Sequence, residues 1–339
     1  MLRSIISISV CTFMLACSPV GKKNRIKALF ERANERLETN RYDQAIDLYS
    51  RVIETDPEFM DAYMNRGVAY LESGHSALAL ADYNEVIKAN PEYHPVYFNR
   101  AMAYMQLGRY SKSLEDIRFL TNIYPDTAIV YFMSGLVFDQ QKLHGNAIDA
   151  FNKAIAIDPN NPELYINRGT VFFHLKQYEK AVDDLKIGMG LNPYDPNAFN
   201  VLAMVMADKN DLIAADTLIS KAVALQPNQP YFWNNQGYVQ ILTKNYEEAR
   251  ISIEKSIHLD QNNAWAYRNL GILDYEEKNY TSSIKNLEKA YELDPTIDQL
   301  DLYLIQSYLS NQSMVKACHM ADQYQWTKEQ KLKSGLKCN

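Results

Sequence analysis

Residues 158–193 read DPNNPELYINRGTVFFHLKQYEKAVDDLKIGMGLNP. Within them Tyr165, Gly169 and Phe172 stand at i, i+4 and i+7, one face of a first helix, and Ala181, Leu185 and Gly188 repeat that spacing on a second. Asp158-Pro159 and Asn192-Pro193 close the stretch at both ends. Proline restricts the residue before it to extended backbone, so each pair stops the helix that precedes it. Small residues on both faces predict two helices in close approach.

The same pattern recurs along the chain. Prolines 57, 91, 125, 159, 193, 227 and 295 fall on a 34-residue grid, with Gln261 at the one place where proline is missing. An aromatic column holds Tyr63, Tyr97, Tyr131, Tyr165, Phe199, Trp233 and Tyr267. Four residues further on stand Gly67, Ala101, Gly135, Gly169, Ala203, Gly237 and Gly271. A second small column reads Ala45, Ala79, Ser113, Ala147, Ala181, Ala215, Ala249 and Ser283. Between the two helices of a unit come residues that tolerate left-handed backbone, such as Asn40, Gly74, Gly108 and Asn210.

These columns resemble the tetratricopeptide repeat (TPR). The resemblance implies an all-α, right-handed superhelical solenoid of tandem helix hairpins, with eight repeats over residues 26–297 and a degenerate ninth repeat and C-terminal cap over 298–339. In the last segment Tyr308, Ala317 and Tyr324 keep the grid, and Lys328, Lys331, Lys333 and Lys337 mark a polar capping helix. Solenoid ends need such a cap because their last apolar face has no successor.

Composition narrows the function. At 339 residues, length alone suggests two globular domains, but the repeat makes it an array of hairpins. Glycine and proline number only 12 each, which argues against collagen-like, turn-rich β and low-complexity chains. The net charge of −6 is spread along the chain with no basic stripe, so nucleic acid is not an expected partner.

The N-terminal stretch carries Arg3 and then the uncharged run Ser4 to Ala16, the form of an export signal. Met14-Leu15-Ala16-Cys17 resembles the lipobox of bacterial lipoproteins, although Leu15 is bulkier than the usual small residue there. The resemblance implies a signal peptide over residues 1–16, an acylated Cys17 and a tether over 17–25. Ser18 is not aspartate, which in such lipoproteins implies an outer-membrane address facing the periplasm. An ordinary signal peptide or an uncleaved anchor is the alternative. In an oxidising compartment Cys318 and Cys338 form a disulfide, with two free thiols the alternative.

Catalytic patterns are absent. The histidines are scattered, no phosphate loop, dinucleotide fingerprint or nucleophile elbow occurs, and neither cofactor nor metal is expected. Asp183-Asp184 and Glu247-Glu248 are read as solvated surface. The expected activity is therefore a non-enzymatic adaptor or scaffold. Its partners would be envelope proteins or peptide segments, with the lipid bilayer reached through the acyl anchor and no small-molecule substrate. A structural subunit of an envelope assembly, in secretion, pilus, motility or cell-wall machinery, is the alternative.

Two places after the aromatic column stand Asn65, Asn99, Asn167, Asn235 and Asn269, interrupted by Met133 and Val201. They look like the asparagine ladder of superhelical TPR proteins, in which carboxamides grip the backbone of an extended peptide. The other role open to them is to satisfy neighbouring groups of their own chain. Beside them Phe98, Phe132 and Met102, with Met64, Ile166, Val68 and Leu136, either face the groove as an apolar trough or pack between repeats. Phe30 and Pro95 stand where the carboxylate clamp of chaperone-binding TPRs needs lysine, so chaperone C-termini are not expected ligands.

Overall fold

The computed structural model describes residues 19–338, and the expected signal peptide, Cys17 and Ser18 lie outside them. Among the described residues all regular structure is helical, in two compact units divided after Pro159. No helix among them is long and apolar enough to cross a membrane.

The first unit contains α1 (Pro19–Glu38), α2 (Tyr42–Thr55), α3 (Met60–Glu72), α4 (Ser76–Ala89), α5 (Pro95–Gln106), α6 (Tyr110–Ile123), α7 (Ala128–Gln140) and α8 (His144–Ile157). Residues 19–25, expected as tether, form the opening turns of α1. The second unit contains α9 (Pro162–His174), α10 (Tyr178–Leu191), α11 (Pro196–Asp208), α12 (Leu212–Leu225), α13 (Pro230–Leu242), α14 (Tyr246–Leu259), α15 (Ala264–Glu276), α16 (Tyr280–Leu293), α17 (Leu300–Ser310), α18 (Met314–Gln323) and the short α19 (Lys328–Lys333). Within each unit a helix packs on its neighbours in sequence, and first helices also meet those of the next hairpin. Each unit is thus a solenoid of stacked hairpins.

The small columns work as contact points. A β-carbon added at Gly67 would lie 2.5 Å from the Tyr83 ring, and one at Gly135 would lie 2.5 Å from Phe151. Both rings are fully buried. Sixteen places on from Ala101 and Ala203 stand Ile117 and Ile219, and Gly237 likewise meets Ile253, at 2.4 Å from an added β-carbon.

Turns follow the same grid. Asn40, Gly74, Gly108 and Asn210 have positive φ, and so do Lys142, Lys176, Lys244 and Lys278 at the corresponding places. At the other turn Asn90, before Pro91, is extended (φ −146°, ψ 92°), and its side chain accepts the backbone N–H two residues on, Glu92 N at 3.1 Å, as those of Asp56, Asn192 and Asp294 do at their places. Asp260, which precedes Gln261 instead of proline, keeps the extended conformation and accepts from Asn262 N at 2.9 Å. The side-chain turn therefore forms without the proline.

At the C-terminal end α17 and α18 make the ninth hairpin, where Tyr308 and Ala317 are buried. Cys318 and Cys338 are joined, with Cα atoms 5.6 Å apart, which ties the segment after α19 back to α18. Leu336 is buried in the same apolar cluster.

Candidate functional site

First helices α9 and α11, with Tyr231 from α13, line a half-open cavity of about 360 Å³. Its wall is made by Glu163, Ile166, Asn167, Thr170, Asn200 and Val201, with Asp195, Asn197 and Tyr231 at one side. Local sequence sets these positions. Pro162 and Pro196 open α9 and α11 at the first helical turn, where a missing N–H costs nothing. Asn161 and Asp195 cap the free N–H groups behind them, Asp195 accepting from Asn197 N at 2.9 Å. From those fixed starts, the residues one and two places after the aromatic column come to the cavity wall.

Polar and apolar groups share this surface about equally, and the polar ones are already partly engaged. Asn167 Nδ2 donates to the Glu163 carbonyl of its own helix at 2.8 Å. Tyr231 Oη donates to Asn197 Oδ1 at 2.6 Å. Burial raises the Tyr231 hydroxyl pKa above its ordinary value, with the Asp195 carboxylate adding to the shift.

Asn200 belongs to a longer series. Asn235 Nδ2 donates to Asn200 Oδ1 at 2.8 Å, Asn234 Nδ2 to Asn235 Oδ1 at 3.3 Å, and Asn269 Nδ2 to Asn234 Oδ1 at 2.8 Å. Arg268 Nη1 then donates to Asn269 Oδ1 at 2.8 Å, and its Nη2 to Gln299 Oε1 at 3.1 Å. Arg268 is 5% exposed and lies over the rings of Tyr238 and Trp265. Desolvation pulls its pKa below the usual arginine value. Its partners are neutral amides, whereas Arg66, Arg100 and Arg168 each hold a buried aspartate.

Those three pairs are alike. Arg66 grips Asp82, Arg100 grips Asp116 and Arg168 grips Asp184, each through Nε and Nη2 at 2.7–2.8 Å. Tyr63 and Tyr70 flank the Arg66 guanidinium within 6 Å of its carbon, and Tyr165 and Phe172 do the same for Arg168. Asp184 is thus no solvated carboxylate, contrary to the expectation for Asp183-Asp184: it is 4% exposed and ion-paired, while Asp183 is exposed. A free buried carboxylate would be costly, and the bidentate guanidinium is what permits it. Glu247 and Glu248 are both exposed.

The predicted asparagine ladder divides. Asn269 is 1% exposed, and the partly buried Asn235 is bonded to Asn200. Asn65 also turns inward, donating to Asn34 Oδ1 at 3.1 Å, which Tyr49 Oη shares at 2.6 Å. Burial pushes that Tyr49 phenol up to about 12. Of the five, Asn65, Asn235 and Asn269 thus bond to asparagines of the preceding hairpin, Asn167 lines the cavity and Asn99, in the first unit, is half-buried.

Phe98 and Met102 are partly buried against the apolar clusters of two successive hairpins, and Phe132 packs on Phe151 with ring centres 6.0 Å apart. Phe98 and Met102 thus pack between repeats and Phe132 packs within its own hairpin, while all three keep part of their surface exposed. Asn200 and Asn234 were missed because they stand one place after the aromatic column. The places one after the aromatic column read Met64, Phe98, Phe132 and Ile166 before turning polar at Asn200, Asn234 and Arg268, a change visible in the sequence.

Family models described as tetratricopeptide repeat match residues 30–94 and 98–162, 150–183 and 230–263, together more than half of the chain. The chain belongs to the tetratricopeptide repeat family. Among solved structures, this TPR chain is similar to a chain of the Cut9–Hcn1 hetero-tetramer of the APC/C, with 20% identity and a TM-score of 0.62 over 82% of this chain and 55% of that one. It spans little more than half the length of that chain. It is also similar to the pilF protein of Pseudomonas aeruginosa, with 20% identity and a TM-score of 0.52 over 65% of this chain and 98% of that one. At such identities the likeness is one of fold. No curated protein matches the sequence. TPR folds are interaction scaffolds, and the matched models carry no catalytic family.

Proposed function

We propose that this TPR protein is a non-enzymatic adaptor of the bacterial cell envelope, which holds an extended segment of a protein partner against the first helices of its second unit. The observation that carries this reading is the mixed polar and apolar cavity at Asn167, Thr170 and Asn200, whose carboxamides match peptide chemistry. The envelope address rests on the lipobox-like Met14–Cys17 and agrees with a Cys318–Cys338 bridge, a bond kept in oxidising compartments. Acylation at Cys17 would leave the repeats at the periplasmic face of the outer membrane.

Asn167→Ala combined with Thr170→Arg places a long side chain in the cavity without touching the core, since both residues are only partly buried. Crosslinking and affinity capture from intact envelopes should lose partners for this variant, with helical circular dichroism unchanged. Unaltered capture would reject the cavity as the binding site and favour a structural subunit that contacts neighbours elsewhere. Cys17→Ala should move the protein from the membrane fraction to the soluble periplasm.

A further inference from the structure

The hydrogen-bonded series Arg268, Asn269, Asn234, Asn235, Asn200 has a direction. A guanidinium offers donors and no acceptor, while a carboxamide has one oxygen and one NH₂ group. Asn269 can therefore present only its oxygen to Arg268, which turns its NH₂ toward Asn234. The same constraint passes through Asn234 and Asn235 to Asn200, whose oxygen is taken by Asn235. The Asn200 NH₂ group is left at the far end, on a residue 8% exposed that lines the cavity. One buried cation, through four carboxamides, decides which end of the last one faces the open space. Buried chains of this kind also polarise each other, which strengthens the terminal donor.

We infer that Arg268 is a positioning residue that sets the hydrogen-bonding polarity of the cavity, so that its ligand is a neutral acceptor, the peptide carbonyl of a partner segment seated on Asn200 Nδ2. The identification of a peptide rests on the adaptor reading above; the polarity does not. Glu163 and Asp195 line the same cavity, so a carboxylate in place of the carbonyl would meet two like charges.

Asn269→Asp tests the series. Aspartate accepts from Arg268 and gives that buried guanidinium a carboxylate, so the variant should fold and keep its melting temperature. It cannot donate to Asn234. Asn234 must then turn to donate to the new carboxylate, Asn235 and Asn200 must turn in sequence, and the cavity meets an oxygen in place of NH₂.

Two neutral probes of similar size read this out by NMR titration of the full chain, followed at the Asn200 side-chain amide: N,N-dimethylacetamide, which only accepts, and pyrrole, which only donates. Wild type should prefer N,N-dimethylacetamide. In Asn269→Asp that probe should weaken about fivefold, the worth of one neutral hydrogen bond, and pyrrole should strengthen. Arg268→Lys, also a pure donor, should retain the wild-type preference. An unchanged preference in Asn269→Asp, its failure to fold, or wild-type indifference to the two probes would each overturn the inference. If instead envelope capture fails while the probe preference inverts, the adaptor reading falls and the polarity stands.

Discussion

Gly135, in the small column, and Gly190, off it and next to the last residue of α10, are both helical glycines, yet only one is required. A β-carbon at Gly135 meets Phe151 at 2.5 Å, whereas one at Gly190 meets nothing within 4 Å. Gly135→Ala is expected to lower stability by about 1–3 kcal/mol through overpacking. Gly190→Ala should raise it by up to about 1 kcal/mol through helix propensity alone. Urea unfolding midpoints check both. The same contrast separates Asp183 from Asp184: adjacent in sequence, one is solvated and the other gripped by an arginine sixteen residues upstream. Residue type suggested a surface pair. Which side of the helix each occupies decided otherwise.

At the scale of elements, the turn inside each hairpin demands positive φ at one place whatever residue stands there. Asn and Gly at four of these places were legible as turn formers, because they enter left-handed backbone at little cost. Lys142, Lys176, Lys244 and Lys278 were not, since lysine carries no such signal and only the grid marks it. Lys176, at φ 56°, bears the steric cost of a β-carbon in this region. Lys176→Gly is expected to stabilise the protein by about 1 kcal/mol, less the larger entropy glycine has when unfolded. A rise in melting temperature would show it, and a fall would mean that the lysine side chain contributes more than the backbone loses. The helix stops at Asp-Pro and Asn-Pro pairs were legible, as proline restricts the residue just before it. Gln261 shows that the aspartate, by accepting a backbone N–H, can form the turn without the proline.

At the scale of the molecule, each unit is held by contacts between neighbouring hairpins, so its ends are the weak places. The C-terminal end is closed by Leu336, by Trp326 Nε1 donating to Asp301 at 2.7 Å, and by the disulfide that links residues twenty apart. Closing a loop of that length contributes about 3 kcal/mol in the chain-entropy view. Cys338→Ala is therefore expected to cut hydrogen-exchange protection in α17 and α18, with α9 and α10 unaffected; equal loss throughout the second unit would show that the cap supports more than its own hairpin.

The repeat period, the helix boundaries, the apolar faces and the close contacts at small residues were all determined by the sequence, because each depends on spacings of a few residues repeated many times. The tertiary structure alone decided which asparagines face a cavity and which bond to each other, and which carboxylates are paired. Those outcomes depend on side chains that lie 16 or 35 residues apart and meet only when helices stack. A carboxamide reads the same in any column of the sequence. Its role is set by the donor or acceptor that the neighbouring helix brings to it.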